Sequence, residues 1–199
     1  MVLTRKRLLL AVLTLTMCGA GIMVAVWFHD WPVRRFAVVQ EGVLYRSAQP
    51  DEAGWQRLRD RYGIRTVIDL RDDTPNEPWA VLERTFCAES GIRYINVPIG
   101  PNRLTDQELK TIIQTTTDPN CQPVLIHCEL GKSRTGIAVA AYRVVVQGWS
   151  YETALAESQK FKKEMEPGYS AYLRELARGE GWRPAVVSSV GADAQKEYR

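Results

Sequence analysis

A chain of 199 residues, 45% of them hydrophobic, holds enough apolar material for one good core, so one domain with appendages is expected. A formal net charge of +3, with no long Lys/Arg block after the first residues, argues against a nucleic-acid partner. Four cysteines (Cys18, Cys87, Cys121, Cys128) make neither a disulfide framework nor a close-spaced zinc set, and two histidines, His29 and His127, argue against a histidine-rich metal centre.

Arg5, Lys6 and Arg7 precede an uncharged run, Leu8 to Phe28. As a helix this run spans roughly 31 Å, about the thickness of a bilayer core. Trp27 and Trp31 then fall at the far interface, where indoles are enriched. A cleaved leader with small residues near Cys18-Gly19-Ala20 is the competing reading. The apolar run continues well past that point, which favours a retained single-pass anchor over residues 1–30. The excess of positive charge before the run places the N-terminus in the cytoplasm and the domain on the other side.

A linker is expected over 31–42 and the folded domain over 43–184, with a polar tail over 185–199. "VLYRS" reads as a short strand, and "DEAGWQRLRDRYG" (Asp51 to Gly63) as a helix closed by glycine. "IRTVIDL" (Ile64 to Leu70) is a buried strand, "EPWAVLERTFCAESG" a second helix, and "IRYINVP" (Ile92 to Pro98) a third strand. Thr105 and Glu108 form a capping box for a helix over Asp106 to Thr116. "PVLIHC" is the fourth strand, followed by a helix from Arg134 to Gln147 that ends at Gly148. Ser150 caps a further helix, "YETALAESQKFKK". Strands alternating with helices predict an α/β fold with a mostly parallel central sheet of about four to five strands flanked by helices. Ligands of such sheets bind at the carboxyl ends of strands, where Cys128 falls.

The stretch "HCELGKSRTG" carries the chemistry. A loop between a strand and a helix N-terminus gathers free backbone N–H groups at one spot, and the helix dipole adds to them, making an anion site. Gly131 permits the tight path, and Arg134 adds a fork that matches two phosphate oxygens. Cys128 inside that positive cradle is favoured as thiolate, placed for in-line attack on phosphorus. A Cys–His protease fails on geometry, because strand alternation points His127 and Cys128 to opposite faces. Cys87 and Cys121 read as ordinary buried or semi-exposed residues whose pairing the sequence leaves open.

The stretch resembles the Cys-x5-Arg-Ser/Thr signature of the cysteine-dependent protein tyrosine and dual-specificity phosphatases. Over about Val43 to Arg178, "LYRSAQP", "YGIRTVIDL", "QPVLIHC" and "GWSYETALAE" are similar to the plant and fungal atypical dual-specificity phosphatases and their bacterial relatives. The eukaryotic members cleave inositol pyrophosphates, and Lys132 matches the loop lysine of phosphoinositide phosphatases. The resemblance implies the cysteine phosphatase fold, with Cys128 as the nucleophile that forms a phosphocysteine. It implies that Arg134 binds the phosphate, that the amides of Glu129, Leu130, Gly131, Lys132, Ser133 and Arg134 line the cradle, and that Thr135 hydrogen-bonds the sulfur. His127 would order the loop from the far face. No metal or organic cofactor is implied.

Many members supply an aspartic acid from a separate loop to protonate the leaving oxygen. The matching stretch here, "PIGPNRLTD", has Gly100, Pro101 and Asn102 where that residue would stand. Asp106, Asp72 and Asp73 remain as candidates. A weak acid leans the chemistry towards phosphoanhydrides or activated esters. The expected activity is that of a membrane-anchored phosphatase acting on a phosphoprotein, an inositol polyphosphate or a lipid headgroup, with the membrane itself met through residues 8–28. A phosphate-binding module and a sulfur-transfer or arsenate-reducing enzyme are the other readings; the intact Cys128 and Arg134 argue against the first, and the Arg-Thr-Gly at the helix start against the second.

Overall fold

The computed structural model describes residues 33–184 together with Thr14. The rest of the segment read as an anchor, and the tail over 185–199, lie outside the described residues. Among the described residues no helix is long and apolar enough to cross a membrane.

Strand and helix alternate in the order β1 (Ala37–Gln40), β2 (Leu44–Ala48), α1 (Glu52–Tyr62), β3 (Thr66–Asp69), α2 (Pro78–Glu89), β4 (Arg93–Asn96), α3 (Asp106–Thr117), β5 (Val124–Cys128), α4 (Ser133–Val145), α5 (Tyr151–Gln159) and α6 (Pro167–Arg178). The five strands form one sheet ordered β1-β2-β5-β3-β4. β2, β5, β3 and β4 run parallel, and β1 pairs antiparallel with β2. The stretch read as a linker over 31–42 therefore contributes an edge strand. Four residues are too short a run to show a period alone, and β1 exists because β2 offers a free edge.

Local chemistry sets the helix ends. Asp51 caps α1 by accepting from Gly54 N–H, and Gly63 closes it with a left-handed φ of 60° that a side chain would disfavour. Thr105 and Glu108 make the reciprocal capping box of α3, and Ser150 caps α5. α4 starts at Ser133, one residue before the predicted start. α6 was not among the predicted elements; it begins on Pro167, ends at Gly179 and buries Tyr169, Leu173 and Leu176 on one face.

Alternation along the strands builds two cores, one on each face of the sheet. Trp55, Leu58, Val67, Cys87 and Leu125 pack together under α1 and α2. Ile68, Leu109, Ile126, Ile137, Tyr142 and Leu173 pack under α3 to α6. α4 is buried from Thr135 to Val145, so the helix behind the Cys-to-Arg loop is the central one of its layer. Cys87 and Cys121 are free thiols packed into the two separate cores. Burial pushes the Cys87 thiol up to about 12, which keeps it protonated and inert.

Candidate active site

Cys128 ends the central strand β5, between Ala48 of β2 and the end of β3. Val124, Ile126 and Cys128 face α4, while Leu125 and His127 face α1 and α2, so the predicted divergence of His127 and Cys128 holds. The Cys128 side chain is buried, and Thr135 Oγ1 donates to its Sγ at 3.1 Å. A hydroxyl donated to sulfur stabilises thiolate, both before attack and when sulfur leaves phosphorus.

The loop from Glu129 to Lys132 has its carbonyls tied outside it. Gln49 N–H donates to Glu129 O at 3.1 Å, Arg35 Nη1 to Leu130 O at 3.0 Å, and Arg46 Nη2 to Gly131 O at 2.8 Å. A peptide's N–H points opposite its carbonyl. The amides that follow these carbonyls are thereby turned away from residues 35–49. The first hydrogen bond of α4 is Gly136 N–H to Lys132 O, which leaves the amides of Ser133 to Thr135 without helical partners. Gly131 has a φ of 62°, and a Cβ there would stand 2.6 Å from Ala48 N and Ser47 O. Only glycine fits where the loop crosses the end of β2.

Cations gather around this loop. Lys132 ends it and Arg134 lies in the first turn of α4, both half-buried, and Lys162 Nζ donates to Ser133 Oγ at 3.0 Å while pairing with Glu166. Arg134 Nη2 meets Asp72 Oδ2 at 3.2 Å, and the Asp72 side chain is 74% exposed. Asp72, three residues beyond the end of β3, is thus brought to Arg134. Asp106 accepts from the Tyr172 hydroxyl in the first turn of α3. Asp73 pairs with Arg84. The stretch where the acid would be sought is fastened to α6, since Gly168 N–H donates to Asn102 Oδ1 at 2.8 Å and Tyr169 OH to Gly100 O.

Behind His127 lies an ion cluster that only the folded chain reveals. His127 Nε2 stands 2.8 Å from Glu83 Oε1, and Arg71 bonds Glu83 at 2.7 Å and Asp69 at 2.9 Å while stacking on Trp79. Burial works to lower the His127 imidazole, but Glu83 and Asp69 outweigh it and raise it above its ordinary 6.5. Burial likewise works to raise Asp69, and Arg71 and His127 overcome it, holding the carboxyl below its ordinary range. Asp69, Glu83 and His127 each offer a ligand atom, all within 4.8 Å of one another. Arg71 already bridges both carboxylates.

Because the His127 value is raised by folding, its contribution is complete below pH 6.5 and fades as pH rises through the folded value. Glu83→Gln is expected to cost about 3 kcal/mol near pH 6, lowering Tm by about 10 °C, with a smaller deficit near pH 9. Thermal melts at the two pH values check this; equal deficits would show that His127 is not charged in the folded protein.

Sequence reasoning missed Glu83, Arg35, Arg46 and Lys162. The one local signal was Arg46, an arginine at a position of "VLYRSA" that alternation assigns to the core.

Comparison with known proteins places this arrangement. A family model described as "Tyrosine phosphatase family" matches residues 31–175. The dual specificity protein phosphatase TpbA of Pseudomonas aeruginosa is 34% identical over 119 residues, which cover 59% of this chain and 50% of that protein. The chain thus spans about half the length of that curated relative. The crystal structure of P. aeruginosa TpbA superposes with a TM-score of 0.54 at 30% identity, covering 69% of this chain and 86% of that one. The core catalytic domain of the PP-IP phosphatase SIW14 from Saccharomyces cerevisiae, in complex with citrate, gives a TM-score of 0.63 at 25% identity, covering 74% and 92%.

Proposed function

The chain belongs to the tyrosine phosphatase family, and from that premise we propose that it hydrolyses a phosphomonoester or phosphoanhydride through a phosphocysteine on Cys128. The observation that carries this reading is the Thr135 hydroxyl donated to Cys128 Sγ where the central strand meets the N-terminus of α4. A phosphoryl group enters the cradle, held by the loop amides and the Arg134 fork. Cys128 Sγ attacks phosphorus as the bond to the leaving oxygen breaks. Water then attacks the phosphocysteine, releasing orthophosphate and the thiolate, which accepts the Thr135 hydrogen bond.

The acid for the first step is Asp72 in this reading, since it stands at Arg134 while Asp106 is engaged by Tyr172. Asp72→Asn is expected to slow an alkyl phosphate by about a hundredfold and a phosphoanhydride by less than about tenfold, because a phosphate leaving group needs little protonation. Equal losses on the two substrates would remove Asp72 from the role, and a comparable loss for Asp106→Asn would give it to that residue.

Lys132, Lys162 and Arg134 around one loop suit a substrate with several charges, in keeping with the PP-IP phosphatase SIW14 among the similar structures. The uncharged run over residues 8–28 supports a membrane anchor, the basic residues before it support a domain on the non-cytoplasmic side, and together they support a second reading, a phosphorylated lipid headgroup. The test is orthophosphate release by the full chain from an inositol pyrophosphate, a phosphotyrosine peptide and phosphoinositide vesicles, with Cys128→Ser as control. Cys128-dependent release from the inositol pyrophosphate is expected. Release confined to vesicles would favour the lipid, and phosphate binding without release from any of them would sink the enzymatic reading.

A further inference from the structure

Arg46 lies outside the Cys-to-Arg motif, yet it is the most buried charge in contact with the loop. It is 2% exposed, projects from β2 on the same face as Ile126 and Cys128, and donates from Nη2 to Gly131 O at 2.8 Å. Its guanidinium carbon sits 3.6 Å from the centre of the Phe161 ring, which follows α5. Its Nε and Nη1 have no hydrogen-bond partner. A buried guanidinium with two unpartnered N–H groups destabilises the fold it sits in. Burial accordingly lowers Arg46 to about 10, with Glu157 and Cys128 acting to raise it and Arg143 to lower it. It is still charged at neutral pH.

We infer that Arg46, seated on Phe161, is a positioning residue that holds the phosphate-binding loop in its anion-accepting form. The inference rests on Cys128 being the nucleophile of the proposed reaction. The bond to Gly131 O turns that carbonyl out of the cradle, and the Lys132 amide on the same peptide faces the opposite way. If the peptide flipped, a carbonyl dipole would face the bound phosphate where an amide should. Gly131, lacking a Cβ and already at positive φ, is the residue of the loop best able to flip. Two neighbours share the task less strongly: the Gln49 amide on Glu129 O, and Arg35, itself held at an uncommon φ of 53°, on Leu130 O. The β1–β2 end of the sheet therefore serves as a frame for the loop, with Arg46 as its one fully buried cation.

The test replaces Arg46 by methionine, similar in length and uncharged, and by lysine, in the full chain. Alkylation of Cys128 by iodoacetamide, followed by peptide mass spectrometry across pH, reads the thiolate without requiring turnover. Protection by inorganic phosphate reads the cradle. Arg46→Met is expected to move the alkylation midpoint up by about one pH unit and to weaken phosphate protection about tenfold. Its Tm should be unchanged or higher, because an apolar side chain replaces an incompletely bonded buried charge. Arg46→Lys should restore the alkylation midpoint in part and phosphate protection less, since it keeps charge but not the fork. Methionine with wild-type alkylation and protection would overturn the inference, and so would a fall in Tm with both readouts unmoved. Should the methionine variant not fold, Phe161→Leu removes the plate and leaves the Arg46 side chain; it is expected to change both readouts in the same direction, and wild-type values would again overturn the role. Wild-type protein whose Cys128 gains no protection from phosphate would instead remove the phosphatase reading on which the inference stands.

Discussion

Cys128→Ser is expected to lose phosphate release by about 10⁴- to 10⁶-fold while binding inorganic phosphate at least as tightly as the wild type. The amides of the cradle and Arg134 are too weak an influence to ionise an alcohol at neutral pH. A serine nucleophile would need a base. His127 faces the opposite side of the sheet and is engaged with Glu83, while Thr135 donates towards position 128. The loop amides and the Arg134 fork are untouched by the change, and loss of the negative sulfur removes a repulsion, so anion binding survives. Product assays paired with calorimetric titration of phosphate separate the two effects. Serine turnover within about tenfold of wild type would place the nucleophile elsewhere.

Arg134→Lys is expected to lower kcat by about 10³-fold, with a much smaller change in KM. The phosphoryl group in flight spreads its charge over three equatorial oxygens, and the planar fork meets two of them at once. A lysine ammonium in the first turn of α4 offers a point charge that reaches one. The ground-state phosphate loses less, because the loop amides still hold it. Equal falls in kcat and kcat/KM identify an interaction made in the transition state, whereas a rise in KM alone would make Arg134 a binding residue only.

What was legible in the sequence was what the chain places close together. Cys128, Gly131, Arg134 and Thr135 share one strand-loop-helix turn, so their meeting follows from local geometry. The caps at Thr105 and Ser150 and the glycine stop at Gly63 were readable for the same reason. Strand alternation alone sent His127 away from Cys128. The partners were not readable: Glu83 meets His127 across 44 residues, Asp72 meets Arg134 across 62, and Arg46 meets Gly131 across 85. One sequence carries no signal for which of several acidic or basic residues closes such a distance. β1 was hidden because its identity lies in its pairing. α6 had its Pro167 start and Gly179 stop in view, yet its task, fastening the Gly100–Asp106 stretch, appears only once that stretch is packed beside it.

The most direct measurement is an acid quench of the full chain in the first turnover of a phosphorylated substrate, followed by peptide mass spectrometry. The account predicts a phosphoryl group on the peptide holding Cys128, transient in the wild type and absent from Cys128→Ser. Orthophosphate released at full rate with no phosphorylated Cys128 at any quench time, or a phosphoryl group on another residue, would contradict it.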